Sequence, residues 1–266
     1  MMKIAALHRY PVKSMGGEAM ARATITPQGL AGDRRWMMVT PEGRFLTRRE
    51  LPAMAQVRAE PRDDGGIVLH HAGVPSLPVT VPTVGTRRAV KVWSDGVEAT
   101  PAGAAADEWL SARFGRAVQL VHMGEDVVRP VDAAYGQPGD AVGFADGFPL
   151  LVTTCESLDA LNAQLPAPIA MARFRPNLVI AGAAAAFAED GWQGLRIGGV
   201  TLRLVKPCTR CVITTQDPET GAADSREPLA TLRKMGRLWQ RQPIFGVNAI
   251  PDGTGDVAVG DRVELA

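Results

Sequence analysis

The sequence predicts a mostly β protein of the α+β class, with a few helices set between short strands. Two observations carry that expectation. The 28 Gly and 20 Pro are scattered along the chain as punctuation, and the segments they bound are short, apolar and rich in β-branched residues. Only three stretches show the 3.6-residue apolar spacing of a helix.

Taken in order, the pattern predicts strands over Lys3–Tyr10, Arg22–Thr26, Arg35–Thr40, Ala55–Ala59, Ile67–His71 and Ala89–Trp93. Pro27-Gln28-Gly29, Pro41-Glu42-Gly43 and Asp63-Asp64-Gly65-Gly66 supply turns between them. A first helix is expected where Ala106, Trp109, Leu110 and Phe114 share a face, ending at Gly115. A second carries Leu158, Leu161 and Leu165 and stops before Pro166. The strongest helical pattern opens at Pro228, with Leu229, Leu232, Met235 and Leu238 or Trp239 on one face. Its other face holds Arg233, Lys234, Arg237 and Arg241. Later strands are expected at Leu178–Ala181, Leu195–Ile197, Val200–Val205, Val212–Thr215, Val247–Ile250 and Arg262–Leu265. The first helix interrupts the strands between residues 94 and 120, which puts a domain boundary there: residues 1–120 and residues 121–266.

Composition narrows the function. The 266 residues carry 29 basic and 28 acidic side chains, a net charge of +1, which gives no general pull toward nucleic acid or membranes. Three cysteines cannot build a disulfide framework and suit a reducing compartment. The longest apolar run, Leu178 to Ala188, falls short of the roughly 18 residues of a spanning helix. The expectation is a cytoplasmic globular protein that neither enters a membrane nor binds nucleic acid. No nucleotide-binding glycine motif or nucleophile elbow occurs, and the four His lack a nucleophile partner at a recognisable spacing.

Cys208-Thr209-Arg210-Cys211 is the first place to look for chemistry. A zinc site would need two more ligands at paired spacing, which Cys155 and the four His do not offer. A redox dithiol places its first Cys at a helix N-terminus, whereas β-type Val212–Thr215 follows here. Two buried structural thiols, or one thiolate binding a soft metal between Lys206 and Arg210, remain open. Asp217-Pro218-Glu219-Thr220-Gly221 has the composition of a turn more than of a carboxylate site. In Phe174-Arg175-Pro176-Asn177 the proline biases Arg175 toward an extended backbone, a placement suited to gripping an anion. Tyr10-Pro11-Val12-Lys13-Ser14 and Gly32-Asp33-Arg34 offer further grips of that kind. Of the 29 basic residues 24 are Arg, which favours bidentate phosphate or carboxylate recognition.

In combination these segments resemble one family. YPVKS, GLAGDRRW, FRPN, KPCTRCVITTQDPETG, EPLATL, PIFGVNA and VGDRVEL follow one another in the order seen in MOSC-domain proteins that carry a MOSC N-terminal β-barrel domain. The likeness spans nearly the whole chain, and it is greatest toward the amidoxime-reducing components and their bacterial counterparts. It implies a MOSC β-barrel core with peripheral helices behind a smaller N-terminal barrel-like domain. It implies a molybdenum cofactor, a Mo-molybdopterin, with Cys211 as the metal ligand and Cys208 as a neighbour. By motif position Lys13, Ser14, Arg34, Arg175 and Asn177 would hold the pterin, with Thr154 and Ser157 as weaker matches. Thr209, Arg210 and Asn248 would line it from the Cys side, Thr209 standing where relatives often have another small residue. Asp217 is the expected proton donor only by nearness in sequence.

The implied reaction is two-electron reduction of N-hydroxylated compounds, such as amidoximes, hydroxylamines and N-hydroxylated base analogues, to amines or amidines. The chain contains no ferredoxin-type Cys cluster. Electrons are therefore expected from a separate protein, a flavin reductase, a ferredoxin-like or a cytochrome b5-like donor, acting on a monomer; the basic face from Arg233 to Arg241 is either its docking surface or an ordinary solvated helix face. Two other readings stay open: a cofactor carrier that never turns over, and a sulfur-transfer protein using Cys211.

Overall fold

The computed structural model describes residues 1–83 and 85–266, and it is mostly β. The largest unit is a sheet running, edge to edge, through Val263–Leu265, Gly194–Ile197, Val200–Thr209, Gln242–Asp252, Leu150–Thr154, Leu178–Ala181, Lys3–Arg9 and Glu18–Met20. Leu238–Trp239 adds a ninth strand against Gln242–Asp252. Every neighbouring pair is antiparallel except Leu150–Thr154 with Leu178–Ala181. A parallel pair needs a crossover, and helix α2, Cys155–Asn162, supplies it.

A second set of strands, Trp36–Val39, Gln119–His122, Asp95–Pro101 and Arg88–Val92, forms its own antiparallel sheet. Beside it lies the three-stranded sheet Arg58–Pro61, Ile67–His70 and Leu77–Val79. Helix α1, Ala104–Phe114, ends at Gly115 in the left-handed conformation that glycine adopts without strain, as its sequence predicts. It buries Ala106 and Leu110 against Trp36, Met38, Leu69 and Leu120.

Five hydrophobic clusters form among the described residues, and the two largest cores do not divide the chain at one position. Ile4, Leu7, Ile25 and Leu30 pack with Leu150, Val152, Leu178, Leu202 and Val247. Residues 22–26 also pair with Gly255–Ala258 near the other end of the chain. Most of the apolar side chains of the first thirty residues therefore pack with the second half of the molecule, but the chain dips into the other core at Val12 and Met15 before returning at Ala23. That crossing brings Lys13 and Ser14 beside residues more than a hundred positions away.

Three predicted elements differ. Ala55–Ala59 divides into a 3-10 turn, Pro52–Gln56, and a strand that opens at Arg58. Val212–Thr215 is a 3-10 turn and not a strand. Its β-branched composition suggested a strand, but the Thr214 and Thr215 hydroxyls donate to the carbonyls of Cys211 and Val212, 2.9 and 2.8 Å away, and close the turn. Helix α3 covers only Leu229–Lys234. Gly236 (φ +73°) stops it, with the Gly236 amide donating to Arg233 and the Arg237 amide to Leu232, a Schellman ending. Leu238–Trp239 then enters a hairpin whose two turn residues, Gln240 and Arg241, both have positive φ. Among the described residues no helix is long and apolar enough to cross a membrane.

Candidate functional site

Where the two cores meet, a cavity of about 500 Å³ opens, walled by both halves of the chain. Lys13, Ser14, Arg34, Arg175, Asn177, Thr209, Arg210, Cys211 and Asn248, all expected from sequence, line it together.

Backbone strain is concentrated in its wall. Of the seven non-glycine residues with positive φ among the described residues, four line the cavity: Ser14 (65°), Arg34 (46°), Trp93 (56°) and Arg175 (55°). Each such residue costs about 1–3 kcal/mol and persists only where its surroundings over-determine it, a pattern common at functional sites. Arg175 departs from the extended backbone that Pro176 favours. It is held left-handed after the Met171–Phe174 turn, whose Phe174 stacks on Phe245 at 3.8 Å between ring centroids. Its Nη1 donates to the Met15 carbonyl at 2.7 Å. Its Nη2 is buried without a partner. Burial, then the nearby charges of Arg48 and Arg34, bring its pKa down to about 9.

Arg34 is anchored by Asp33 at 2.5 Å and by the Asn177 carbonyl oxygen at 3.1 Å. The Asn177 oxygen also accepts from the Leu151 amide, and its amide nitrogen donates to His8. Asn177 therefore ties two strands to the turn that carries Arg34 and serves the cavity mainly by fixing that arginine. Lys13, 4% exposed, donates to the Phe144 carbonyl at 2.8 Å and to Asp146 at 2.5 Å. Burial lowers the proton affinity of the Lys13 ammonium, partly offset by Asp146. At Asp146 desolvation opposes ionisation, yet Lys13, Arg49 and the Trp93 indole together hold the carboxyl well below the usual range.

The two cysteines receive different arginines. Arg210 Nη1 donates to Cys208 at 2.9 Å, and its Nη2 donates to the Phe174 carbonyl at 2.6 Å. Its Nε is buried without a partner. The guanidinium at Cys211 belongs to Arg49, whose Nη2 lies 3.1 Å from the sulfur. Arg49 stands over the Trp93 ring at 4.7 Å and 4.0 Å from Asp146. Cys211 thus sits at the start of the Val212–Thr215 turn with a cation supplied by the other half of the chain. Among the described residues no three His, Cys, Asp or Glu side chains cluster as a metal cage, so the zinc reading finds no ligand set there.

Three expected residues lie outside the cavity lining. Thr154 and Ser157 are fully buried at the start of α2. Their hydroxyls contact each other at 2.6 Å and both donate to Glu189 Oε2, at 3.1 and 2.8 Å. The Thr154 oxygen caps the helix by accepting from the Ser157 amide. Asp217 is consumed by its own turn, one carboxylate oxygen accepting from the Glu219 and Thr220 amides and the Thr220 hydroxyl. The basic face is also broken. Arg237 turns inward to pair with Asp190 at 2.5 Å and to stack on Phe187, while Arg233, Lys234 and Arg241 stay exposed.

Sequence reading missed Arg49, Trp93 and Asp146, which no motif marks. Arg48, the neighbour of Arg49, donates to the Ser14 and Pro218 carbonyls and accepts from Gln216 at its own carbonyl, which seats Arg49 beside Cys211. Lys206, weighed only as a flanking charge, lies 4.7–5.9 Å from the rings of Tyr135, Trp239 and Phe148 and also lines the cavity.

Fold and site together define a two-core β protein with a thiol-bearing, arginine-lined cavity between the cores. Residues 1–117 match the MOSC N-terminal beta barrel domain and residues 139–264 the MOSC domain. Mitochondrial amidoxime-reducing component 1 of Mus musculus is 33% identical over 280 residues, covering 98% of this chain and 82% of that protein. The Homo sapiens counterpart is 32% identical over 281 residues, with the same coverage. That of Xenopus laevis is 31% identical over 273 residues, 96% of this chain and 79% of the relative. The chain belongs to the MOSC-domain family, in the two-domain form of the amidoxime-reducing components.

Proposed function

We propose that this protein is a molybdenum-cofactor-dependent oxidoreductase that reduces N-hydroxylated compounds such as amidoximes and hydroxylamines. The observation that carries the proposal is the cavity itself, where the Cys211 sulfur shares one space with buried guanidinium donors that have no protein partner, Arg175 Nη2 and Arg210 Nε. Unpartnered buried donors are costly in a closed protein, and an anionic ligand would satisfy them. Against the arginines and lysines of the lining stands one carboxylate, Asp146. A pterin phosphate fits that charge balance, and a thiolate suits a soft metal.

In this reading Arg34, Arg175 and Ser14 hold the anionic end, Arg210 and Thr209 line the pterin, and Cys211 ligates molybdenum. The bound cofactor supplies the two-electron redox chemistry that reduces the N–O bond. The protein binds, orients and manages protons. Arg49 fixes the Cys211 sulfur from the opposite wall. Lys13 Nζ holds a proton between the Phe144 carbonyl and Asp146 Oδ1, and Asp146 connects it to the open cavity. That pair replaces Asp217 as the proton source. Reducing equivalents come from a separate donor protein.

The test is elemental analysis of the protein purified from a cofactor-producing host, followed by a benzamidoxime assay with an artificial reductant. Molybdenum approaching one per chain, with substrate-dependent oxidation of the reductant, supports the proposal. Bound molybdenum without turnover indicates a carrier. Stoichiometric zinc in place of molybdenum rejects the cofactor.

A further inference from the structure

Tyr10 directly follows the strand Lys3–Arg9 of the large sheet, is 4% exposed and is not among the residues lining the cavity. Yet both strained arginines of the anion grip lie on it. The Arg34 guanidinium carbon is 4.4 Å from the centre of its ring and that of Arg175 is 4.1 Å away. These two cations repel each other, and burial, then the charges of Arg48 and Arg34, lower the proton affinity of Arg175. An aromatic face offsets such a charge without neutralising it, which a carboxylate would do.

The rest of Tyr10 is equally committed. Its amide donates to Asp33 at 2.7 Å, its carbonyl accepts from the Arg34 amide at 2.8 Å, and its hydroxyl donates to the Pro176 carbonyl at 3.2 Å. The backbone therefore fixes the turn that carries Arg34, while the hydroxyl fixes the segment that carries Arg175. Burial pushes the phenol pKa up to about 12 against the opposing pull of Arg175 and Arg34, so the ring stays neutral. Gly17 leaves the room it needs: a Cβ there would lie 2.3 Å from Tyr10 Cδ1.

We propose that Tyr10 is a positioning residue, whose ring pre-assembles Arg34 and Arg175 as one paired grip for a phosphate group. The inference rests on the proposed anionic cofactor, but it concerns a residue behind the cavity wall. Without the ring, the two guanidiniums relax apart and the free protein must reassemble them on binding, which weakens affinity.

The test uses the full chain produced without molybdopterin, titrated calorimetrically with inorganic phosphate. Tyr10 is replaced by Phe, by trifluorophenylalanine and by Met. Tyr10→Phe keeps the ring and is expected to bind within about twofold of wild type. Trifluorophenylalanine keeps the shape but drains the ring face, and is expected to weaken binding several-fold, with Tyr10→Met weaker by about tenfold, the scale of a lost desolvated cation–π contact. Leu69→Ala, in the other core, lowers Tm and is expected to leave phosphate affinity unchanged. Trifluorophenylalanine and Met variants that bind like wild type, while Arg175→Gln is weakened, overturn the role of Tyr10 alone. An equal loss in Leu69→Ala overturns it too, as general destabilisation. Arg175→Gln binding like wild type, or wild type not binding at all, overturns the anion grip and with it the proposed cofactor site.

Discussion

The cavity wall and the start of helix α2 both bury polar side chains, and those side chains have opposite fates. Thr154, Ser157 and Glu189 are wholly buried, and their hydroxyls and one carboxylate oxygen are spent on one another and on the helix cap. In the cavity wall Arg34, Arg175 and Arg210 also hold protein partners, but Arg175 and Arg210 each keep a donor in reserve, and the backbone there is strained. The α2 cluster closes on itself except at Glu189 Oε1, an acceptor buried without a partner away from the cavity lining, whereas the arginines leave donors unspent among residues that line an opening. Partner counting alone does not separate the two; an unspent group belongs to a ligand site only where its residue lines the cavity.

The sharpest way to break that contrast is at the sulfur. Cys211→Ala is expected to abolish N-hydroxyl reduction and empty the protein of most molybdenum, while Cys208→Ala keeps most of both. Equal losses in the two variants, read by turnover and elemental analysis, would mean that the two thiols act as a structural pair. A smaller effect is expected at the anion grip. Arg34→Gln removes a charge-assisted contact worth about 1.5–3 kcal/mol, so cofactor affinity should fall about 10- to 100-fold. Retention measured by pterin fluorescence after dialysis checks it, with no change in Cys211 accessibility to alkylation before loading.

Much of this was legible beforehand, for reasons that differ by residue. Strands such as Leu178–Ala181 and helix α1 announce themselves through local pattern, because their apolar face and their Gly115 ending lie within a few positions of each other. Motif order marks Lys13, Ser14, Arg34, Arg175 and Cys211, and all five line one cavity. Arg49 was not legible, because its partner is 162 positions away and nothing near Arg49 marks it. The stop at Gly236 was readable and went unused; the hairpin at Gln240-Arg241 was not readable, since neither residue is a usual choice for positive φ. Thr154 and Ser157 were misplaced because a hydroxyl beside a motif looks the same whether it faces a ligand or, as here, a buried Glu189.

That misplacement defines a milder test. Thr154→Val removes the cap of α2 and one donor to Glu189, and is expected to cost about 1–2 kcal/mol, a Tm drop of about 2–6 °C. Molybdenum per folded chain should stay at the wild-type level. A molybdenum loss larger than the loss of folded protein would return Thr154 to the cofactor site and erase the distinction drawn above.

The smallest effect, and the one most specific to the closed cluster, is its pH dependence. Burial pushes the Glu189 carboxyl above its ordinary pKa of 4.5, although hydrogen bonds from Ser157 and Thr154 pull the other way. The folded chain therefore binds this proton more tightly than the unfolded chain does. Its contribution to stability is fully present below the unfolded value and is lost as pH rises through the raised folded value. Glu189→Gln keeps a neutral group of the same shape at every pH. The two proteins should be closest in stability in acid, and the Gln variant should gain on wild type as pH increases past the ordinary carboxylate range, then hold a constant lead. Urea unfolding at a series of pH values reads this directly. A lead that grows toward acid would mean that Glu189 is held as a carboxylate by its two hydroxyls, and the cluster would then be a poised charge like those of the cavity wall.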